Sequence, residues 1–284
     1  FSIEIAKRIK EKKPDIFIVF GGPACYFLDF RCSVPVKNFL SPYGAHPYME
    51  PGIVDAFVVG EGEEALYMLI ANYYNKKTEK LNGVLYFNKN TKKYDIFLPP
   101  KLIYNLDDIP YPAWEDLDLS LYPLEGTLPV LFGRGYVNRC SFCNDWKLWG
   151  GKYRGRRAEN IVDEFIHNSN KYGVSNFQSN DLAINADVNL LYELADRLGR
   201  QKRQFTWSGQ GFIRKEMSRE LMVKLKETGL TWITYGVEHL SDNVLSLMGK
   251  EHSFDDVITV LKNTKSAGIG ISVNFLLGFP GETD

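Results

Sequence analysis

Leu128-Pro-Val-Leu-Phe-Gly-Arg-Gly-Tyr136-Val-Asn-Arg-Cys140-Ser-Phe-Cys143 begins as a buried strand and ends as a glycine-rich loop carrying two cysteines. The strand is the first of a repeating series. Strand-length apolar runs at 129–133, 174–178, 204–208, 231–236 and 270–277 alternate with helical periodicity at 158–172, 187–200, 217–228 and 254–267. Helix stops stand at Tyr172-Gly173, Thr228-Gly229 and Ala267-Gly268. Strand–helix alternation of this kind implies a parallel sheet with right-handed crossovers. Five strands without an order-reversal signal favour a closed or partial β/α barrel over a doubly wound sheet. In either fold the chemistry gathers at the carboxyl ends of the strands, where the cysteine loop falls.

Upstream the pattern is sparser. Ile3, Ile5, Ala6 and Ile9 mark a helix over 3–12, broken by Pro14-Asp15. Ile16–Phe20 reads as a buried parallel strand ending in Gly21-Gly22-Pro23, with a loop-like stretch to about Gly52. Ala56–Val59 is a second buried strand, running into Gly60-Glu61-Gly62-Glu63-Glu64 and a helix to about Tyr74. Leu81–Asn88 and Tyr94–Leu98 look like a hairpin turning at Lys89-Asn90. Residues 105–127 carry prolines and acids without periodicity and read as a linker across the join of two domains. The expected division is 1–104, linker 105–127, and 128–284. The chain has no initiator Met, opens in mid-helix and stops at Asp284 after a Gly-Phe-Pro-Gly-Glu-Thr loop, so it is expected to be a piece of a longer protein.

A chain of 284 residues has room for one large or two ordinary domains, and 44% apolar with 24% charged residues is the mix of a folded globular protein. A formal net charge of −1 gives no push toward nucleic acid or an anionic membrane. No apolar window is long enough to span a bilayer and no secretory signal is visible, so a cytoplasmic location is expected. Of the four cysteines, Cys25 and Cys32 read as core or loop thiols. The close pair Cys140/Cys143 suggests metal or redox work rather than a disulfide framework. A lone C-x-x-C is ambiguous among zinc, a redox dithiol and chance. The lack of a second such pair or of a nearby His pair argues against structural zinc. The flanking Arg139 and Asp145-Trp146 do not look like a thioredoxin motif.

The wider context is more specific. Gly133-Arg-Gly-Tyr-Val-Asn-Arg-Cys-Ser-Phe-Cys-Asn144 resembles the C-x-x-x-C-x-x-C cluster loop of radical S-adenosylmethionine (SAM) proteins, with Tyr136 where those have the first cysteine. Tyr153–Glu164 resembles that family's basic segment before its first helix. Phe177-Gln-Ser-Asn-Asp181 ends the second strand where relatives have acids or amides. Tyr235-Gly-Val-Glu238 resembles Gly-x-Glu-Ser, with His239 for Ser, followed by Leu247-Met-Gly-Lys250. Leu277–Thr283 resembles the loop after the fifth strand. The upstream half resembles the cobalamin-binding domain that often precedes this class, through Gly21-Gly22-Pro23, Gly60-Glu-Gly-Glu63 and the joining segment Asp107–Trp114. That domain's Asp-x-His-x-x-Gly motif does not occur in the chain, and His46 and His167 do not replace it.

The resemblance implies a partial parallel (β/α) barrel of radical SAM type preceded by an incomplete Rossmann-like cobalamin-binding domain. It implies a 4Fe-4S cluster held by thiolates, an open iron that chelates SAM, and a 5′-deoxyadenosyl radical that abstracts hydrogen from substrate. Cys140 and Cys143 would be two cluster ligands. Phe142 would pack near the adenine, or serve as a plain core aromatic. Glu238 would face the cofactor. Asn180 and Asp181 would bind SAM or the substrate, or cap the next helix. Gly278, Pro280 and Gly281 would let backbone approach the adenosine, or form a bare turn. Arg154, Arg156 and Arg157 would meet a cofactor carboxylate, or form a solvated basic face. Gly21, Gly22, Glu61 and Gly62 would border the cobalamin. A small-molecule substrate and a reductant such as flavodoxin or ferredoxin would be the partners, with methylation, cyclisation or rearrangement as the reaction. Tyr136 leaves three outcomes: a phenolate ligand, a labile or smaller two-thiolate cluster, or no cluster. The competing readings are a non-catalytic SAM- or cobalamin-binding module or pseudoenzyme, and a metal-free scaffold with inert thiols.

Overall fold

The computed structural model describes residues 2–22, 25, 40–41, 44–45, 52–77, 79–94, 98–121, 126–143, 145, 149 and 152–282. Pro23, Cys32, His46, Asn144, Trp146 and Thr283 of the sequence reading lie outside the described residues. The chain divides into two compact units, Phe1–Ile103 and Tyr104–Asp284. No helix among the described residues is long and apolar enough to cross a membrane.

In the first unit, helix α1 (Ser2–Lys12) precedes strand β1 (Val19–Phe20), which pairs in parallel with β2 (Ala56–Val58). Helix α2 (Gly62–Tyr74) comes next, and β3 (Val84–Asn88) and β4 (Lys93–Tyr94) add antiparallel strands in the order β1-β2-β3-β4. Asp55 holds α1 and the β1–β2 pair together: its carboxylate accepts from Lys10 Nζ at 2.7 Å and from the Ile18 amide at 2.8 Å. Two expectations need correction here. The strand expected over 16–20 is reduced to Val19–Phe20, because only those two residues find a ladder partner in β2. The hairpin turn extends over residues 89–92 to a return strand at Lys93–Tyr94, residues 95–97 of the expected strand lie outside the described residues, and Leu98 bridges Asn82.

The second unit is built on a five-stranded, wholly parallel sheet. Its strands are β5 (Thr127–Val130), β8 (Asn176–Ser179), β9 (Thr206–Gly211), β10 (Leu230–Glu238) and β11 (Gly270–Phe275), in sequential spatial order. A short antiparallel ladder, β6 (Gly133–Arg134) with β7 (Arg154–Gly155), lies just past the first strand. Helices α3 (Ala158–Tyr172), α4 (Val188–Gly199), α5 (Arg219–Glu227) and α7 (Phe254–Ser266) connect the strands. A further short helix, α6 (Asp242–Met248), precedes α7 and is not expected from the sequence. Sequential order without reversal is the progression of a β/α barrel wall.

Strand alternation sorts the two faces. Leu128, Val130, Phe177, Trp207, Ile233, Tyr235 and Val237 are buried with Ile161, Phe165, Leu191, Leu194, Leu221, Leu225 and Val260 of the helices. The opposite parity carries Asn176, Gln178, Asn180, Thr206, Gln210 and Asn274, all exposed. A sheet packed on both faces would be apolar on both. This one is polar at these positions on its second face. The segment after Tyr104 packs on α3: Tyr111 Oη donates to Asn160 O at 3.2 Å, the Trp114 amide donates to Tyr172 Oη at 3.2 Å, and Glu115 pairs with Lys171.

Phe165 is the centre of the core. Its ring stacks on Phe177 at 4.1 Å and meets Phe205 edge-on at 5.6 Å. Phe165→Ala should destabilise the unit by about 3–5 kcal/mol, the usual cost of deleting a fully buried ring. A urea midpoint shifted by much less would show that the site collapses around the missing ring.

Candidate functional site

The turn from β5 into the cysteine loop is held by side chains from two other elements. Asp181, just past β8, is buried and accepts from the Phe132 amide at 2.8 Å, the Gly133 amide at 2.6 Å and Ser179 Oγ at 2.5 Å. Arg156 Nη1 donates to Leu131 O at 2.7 Å and pairs with Glu164 of α3 at 2.5 Å, while Phe132 O accepts from the Arg156 amide. Burial pushes the Glu164 carboxyl up against the pull of Arg156. Past this point Gly135 sits at φ 99°, where an added Cβ would lie 1.8 Å from Lys152 O. No other residue fits there.

The cysteine turn docks on the carboxyl end of α6. The Ser141 amide donates to Met248 O at 2.9 Å and Ser141 Oγ to Leu247 O at 3.4 Å, satisfying carbonyls that a helix end leaves open. Within the turn the Cys143 amide donates to Cys140 O at 3.1 Å. Cys140 is buried, and Cys143 is half-buried with its Sγ accepting from the Asp145 amide at 3.4 Å. Tyr136 packs its ring edge-on against Phe212 at 5.8 Å. Burial pushes its phenol up, and Cys140, Cys143 and Glu238 lie close enough for their charges to push it further, against a hydrogen bond from Asn138. Burial likewise pushes the Cys140 thiol up, opposed first by the Lys250 ammonium. Tyr136, Cys140, Cys143, Glu238 and Lys250 therefore share one neighbourhood at the carboxyl end of the parallel sheet.

Glu238 ends β10 at φ 70°, a left-handed conformation rare outside glycine. The ladder to β11 slips between Gly236 and Glu238, and the Leu276 amide donates to Glu238 O at 2.8 Å. Gly236 leaves room for that carboxylate: a Cβ there would lie 2.8 Å from Glu238 Oε1. Lys250 Nζ donates to Gly236 O at 3.1 Å and lies 3.4 Å from Glu238 Oε1 and 5.9 Å from the Phe142 ring centre. Phe142 is 38% exposed and faces Phe279 edge-on at 6.4 Å, so it is no core aromatic. In the loop after β11, Gly278, Pro280 and Gly281 are exposed. Glu282 shapes that loop by accepting from the Gly278 and Phe279 amides, and pairs with His239 Nε2 at 3.6 Å.

The other residues singled out by the sequence divide between mouth and scaffold. Asn180 is exposed just past β8, on the polar face of the sheet. Asp181 spends its carboxylate on backbone, neither on a helix cap nor at the open mouth. Arg156 is committed to Glu164, and Arg157 pairs with Asp107 at 2.7 Å. In the first unit Gly21 and Gly22 are exposed after β1, Gly22 at φ 88°. Glu61 is buried, its Oε2 accepting from the Ile103 amide at 2.5 Å, and Gly62 opens α2. Glu61, Glu64, Lys80 and Lys101 border a cavity of about 150 Å³. Cys25 is buried, and burial pushes its thiol up to about 11, as suits an inert core thiol. Lys250 enters the sequence reading only as the last residue of Leu247-Met-Gly-Lys250, with no role of its own assigned.

The profile of the Radical SAM superfamily matches residues 130–284, which contain the whole of this mouth. The chain belongs to the radical SAM superfamily. It is 25% identical over 99% of its length to an uncharacterized methyltransferase of Pyrococcus horikoshii, covering 64% of that protein. It is 27% identical over 98% of its length to the cytidylyl-2-hydroxyethylphosphonate methyltransferase of Streptomyces wedmorensis, covering 60% of it. Its fold matches the radical SAM methyltransferase TsrM of Kitasatospora setae, solved with cobalamin and a [4Fe-4S] cluster bound, at a TM-score of 0.71 and 19% identity, covering 99% of this chain and 55% of that one. The chain thus spans about three-fifths of the length of these relatives. The parallel sheet and the barrel-wall order expected from the sequence are those of the radical SAM fold.

Asp181 generates a pH prediction. Burial pushes its carboxyl from 3.8 up to about 6, against the pull of Ser179, the Phe132 and Gly133 amides and Arg156. Below the lower value the group is protonated in both folded and unfolded chains. Between the two values the unfolded chain releases its proton first, so stability falls as pH rises, and the loss is complete above about 6. Asp181→Asn should remove this component. The stability of wild type minus that of the variant, from urea unfolding, should decline from about pH 4 to about pH 6 and then level off. A flat difference would show that the burial cost is fully offset by the amides.

Proposed function

We propose that this chain is the SAM-binding core of a cobalamin-dependent radical SAM methyltransferase, with Cys140 and Cys143 as cluster ligands and Tyr136 in the place of the third. The observation that carries this is the convergence of two thiols, a phenol and Glu238 at the mouth of the parallel sheet. Methyl transfer is favoured over cyclisation or rearrangement because the relatives from Pyrococcus horikoshii and Streptomyces wedmorensis and the TsrM structure all bear methyltransferase names.

The donor set meets the needs of a cluster only in part. Two soft thiols suit iron and sulfide. The third donor fits less well: burial pushes the Tyr136 phenol up, and phenolate is a harder and longer ligand than thiolate. Among the described residues no third His, Cys, Asp or Glu completes a metal-binding group there. A fully ligated three-thiolate cluster therefore does not fit this chain, and cluster binding is impaired.

The remaining side chains fit SAM. Phe142 and Phe279 offer ring faces for the adenine, Glu238 a carboxylate for the adenosine, and the exposed backbone of Gly278–Gly281 a close approach. Asn180, with Gln178 and Gln210 on the same polar face, offers carboxamides to a small-molecule substrate. In the first unit Gly21, Gly22 and Gly62 offer bare backbone to cobalamin, while the Glu61 carboxylate is already committed to Ile103. A one-electron donor such as flavodoxin or ferredoxin would serve it, in the cytoplasm where such donors are kept reduced.

Anaerobic reconstitution with iron and sulfide tests this. The wild-type chain should take up iron well short of a full four-iron complement, and Tyr136→Cys should raise it. A full complement in wild type would refute the impairment. No gain in the variant would argue that this is not a cluster loop. SAM binding measured by calorimetry, with no 5′-deoxyadenosine formed, would favour a binding module without turnover.

A further inference from the structure

Lys250 is the one buried ammonium at the mouth among the described residues, with 2% of its side chain exposed. An ammonium does not stay in such a place without partners, because loss of water is not otherwise offset. Its partners all belong to the turn that ends β10. They are Gly236 O at 3.1 Å and Glu238 Oε1 at 3.4 Å, with the Phe142 ring beyond.

Glu238 itself is held in an unfavourable state. Its φ of 70° is a conformation that L-residues with long side chains keep only when their surroundings impose it. Gly236 clears the space its carboxylate occupies, and the slip in the β10–β11 ladder turns the backbone at that point. A glycine, a backbone distortion and a buried cation thus converge on fixing one carboxylate. The lysine is also tied to the cysteine turn: its amide donates to Leu245 O at 2.9 Å, closing the end of α6 on which Ser141 docks.

We propose that Lys250 is a positioning residue for SAM: it holds the Glu238 carboxylate at the mouth and acts on the cofactor only through it. The proposal rests on the reading that this mouth takes SAM. A lysine that touched SAM directly would contribute whether or not Glu238 kept its charge. A lysine acting through Glu238 contributes nothing once that carboxylate is gone. A double-mutant cycle separates the two.

SAM is titrated by calorimetry, under anaerobic conditions, into the full chain and into Lys250→Met, Glu238→Gln and the double variant. Each single change should weaken binding about tenfold, or about 1.4 kcal/mol. The double variant should bind no more than about twofold more weakly than Glu238→Gln alone. Lys250→Arg should recover most of the loss, since it keeps the charge. Unchanged affinity in Lys250→Met, or a double variant that loses the product of the two single losses, overturns the proposal. If Lys250→Met does not fold, the comparison of the double variant with Glu238→Gln carries the test, because both ends of the pair are then neutral. Equal affinities support the proposal and a further loss overturns it. A wild-type chain that gives no SAM heat overturns the underlying reading of the mouth instead, which is distinct from wild-type binding that Lys250→Met leaves intact.

Discussion

A single buried carboxylate, that of Asp181, takes the two amides at which the first strand of the sheet becomes the cysteine loop. Those amides point away from the ladder, and without an acceptor they would be unsatisfied inside the protein. The carboxylate comes from the neighbouring strand, so it fixes the loop's departure relative to the sheet and not merely within itself. Arg156 secures the adjacent carbonyls from the other side. Everything at the mouth is placed from this point. The tight passage at Gly135 comes first, then the turn over Phe212, then the docking of Ser141 on the end of α6.

The two ends of the mouth are built on different physics. The cysteine turn is fixed by neutral hydrogen bonds to open helix carbonyls, which hold position without adding charge. The β10 end is fixed by a charged pair largely withdrawn from water, Glu238 with Lys250. Near them lie the Cys140 thiol and the Tyr136 phenol, both pushed up by burial. The Lys250 ammonium opposes that push at Cys140. The phenol of Tyr136 sits beside two thiols and a carboxylate, all of which oppose its ionisation.

Much of this is legible in the sequence, for reasons that can be named. Helix α3 reads correctly to its end residues because its apolar stripe is long and Gly173 at φ 70° stops it. The five strands stand out because parallel strands under helices are short apolar runs between punctuating glycines. Helix α6 escapes notice because seven residues carry too little periodicity. The strand over 16–20 is shorter than its apolar run because ladder length depends on the partner strand, which local hydrophobicity does not report. At the site, Cys140, Cys143 and Glu238 stand out by residue type and spacing. The task of Asp181 is hidden, because a carboxylate serving backbone amides looks the same in sequence as one facing a ligand. Lys250 is hidden for a related reason: its burial is created by β10 and the cysteine turn closing over it, not by its neighbours in the chain.

The central claim is that the thiols of Cys140 and Cys143 face a metal at the mouth of the parallel sheet. Anomalous scattering at the iron edge, from crystals grown without oxygen after exposure to iron and sulfide, tests it most directly. The account predicts a partially occupied iron peak within bonding distance of both sulfurs. Sulfurs with no iron peak beside them, or iron lodged elsewhere in the chain, would contradict it.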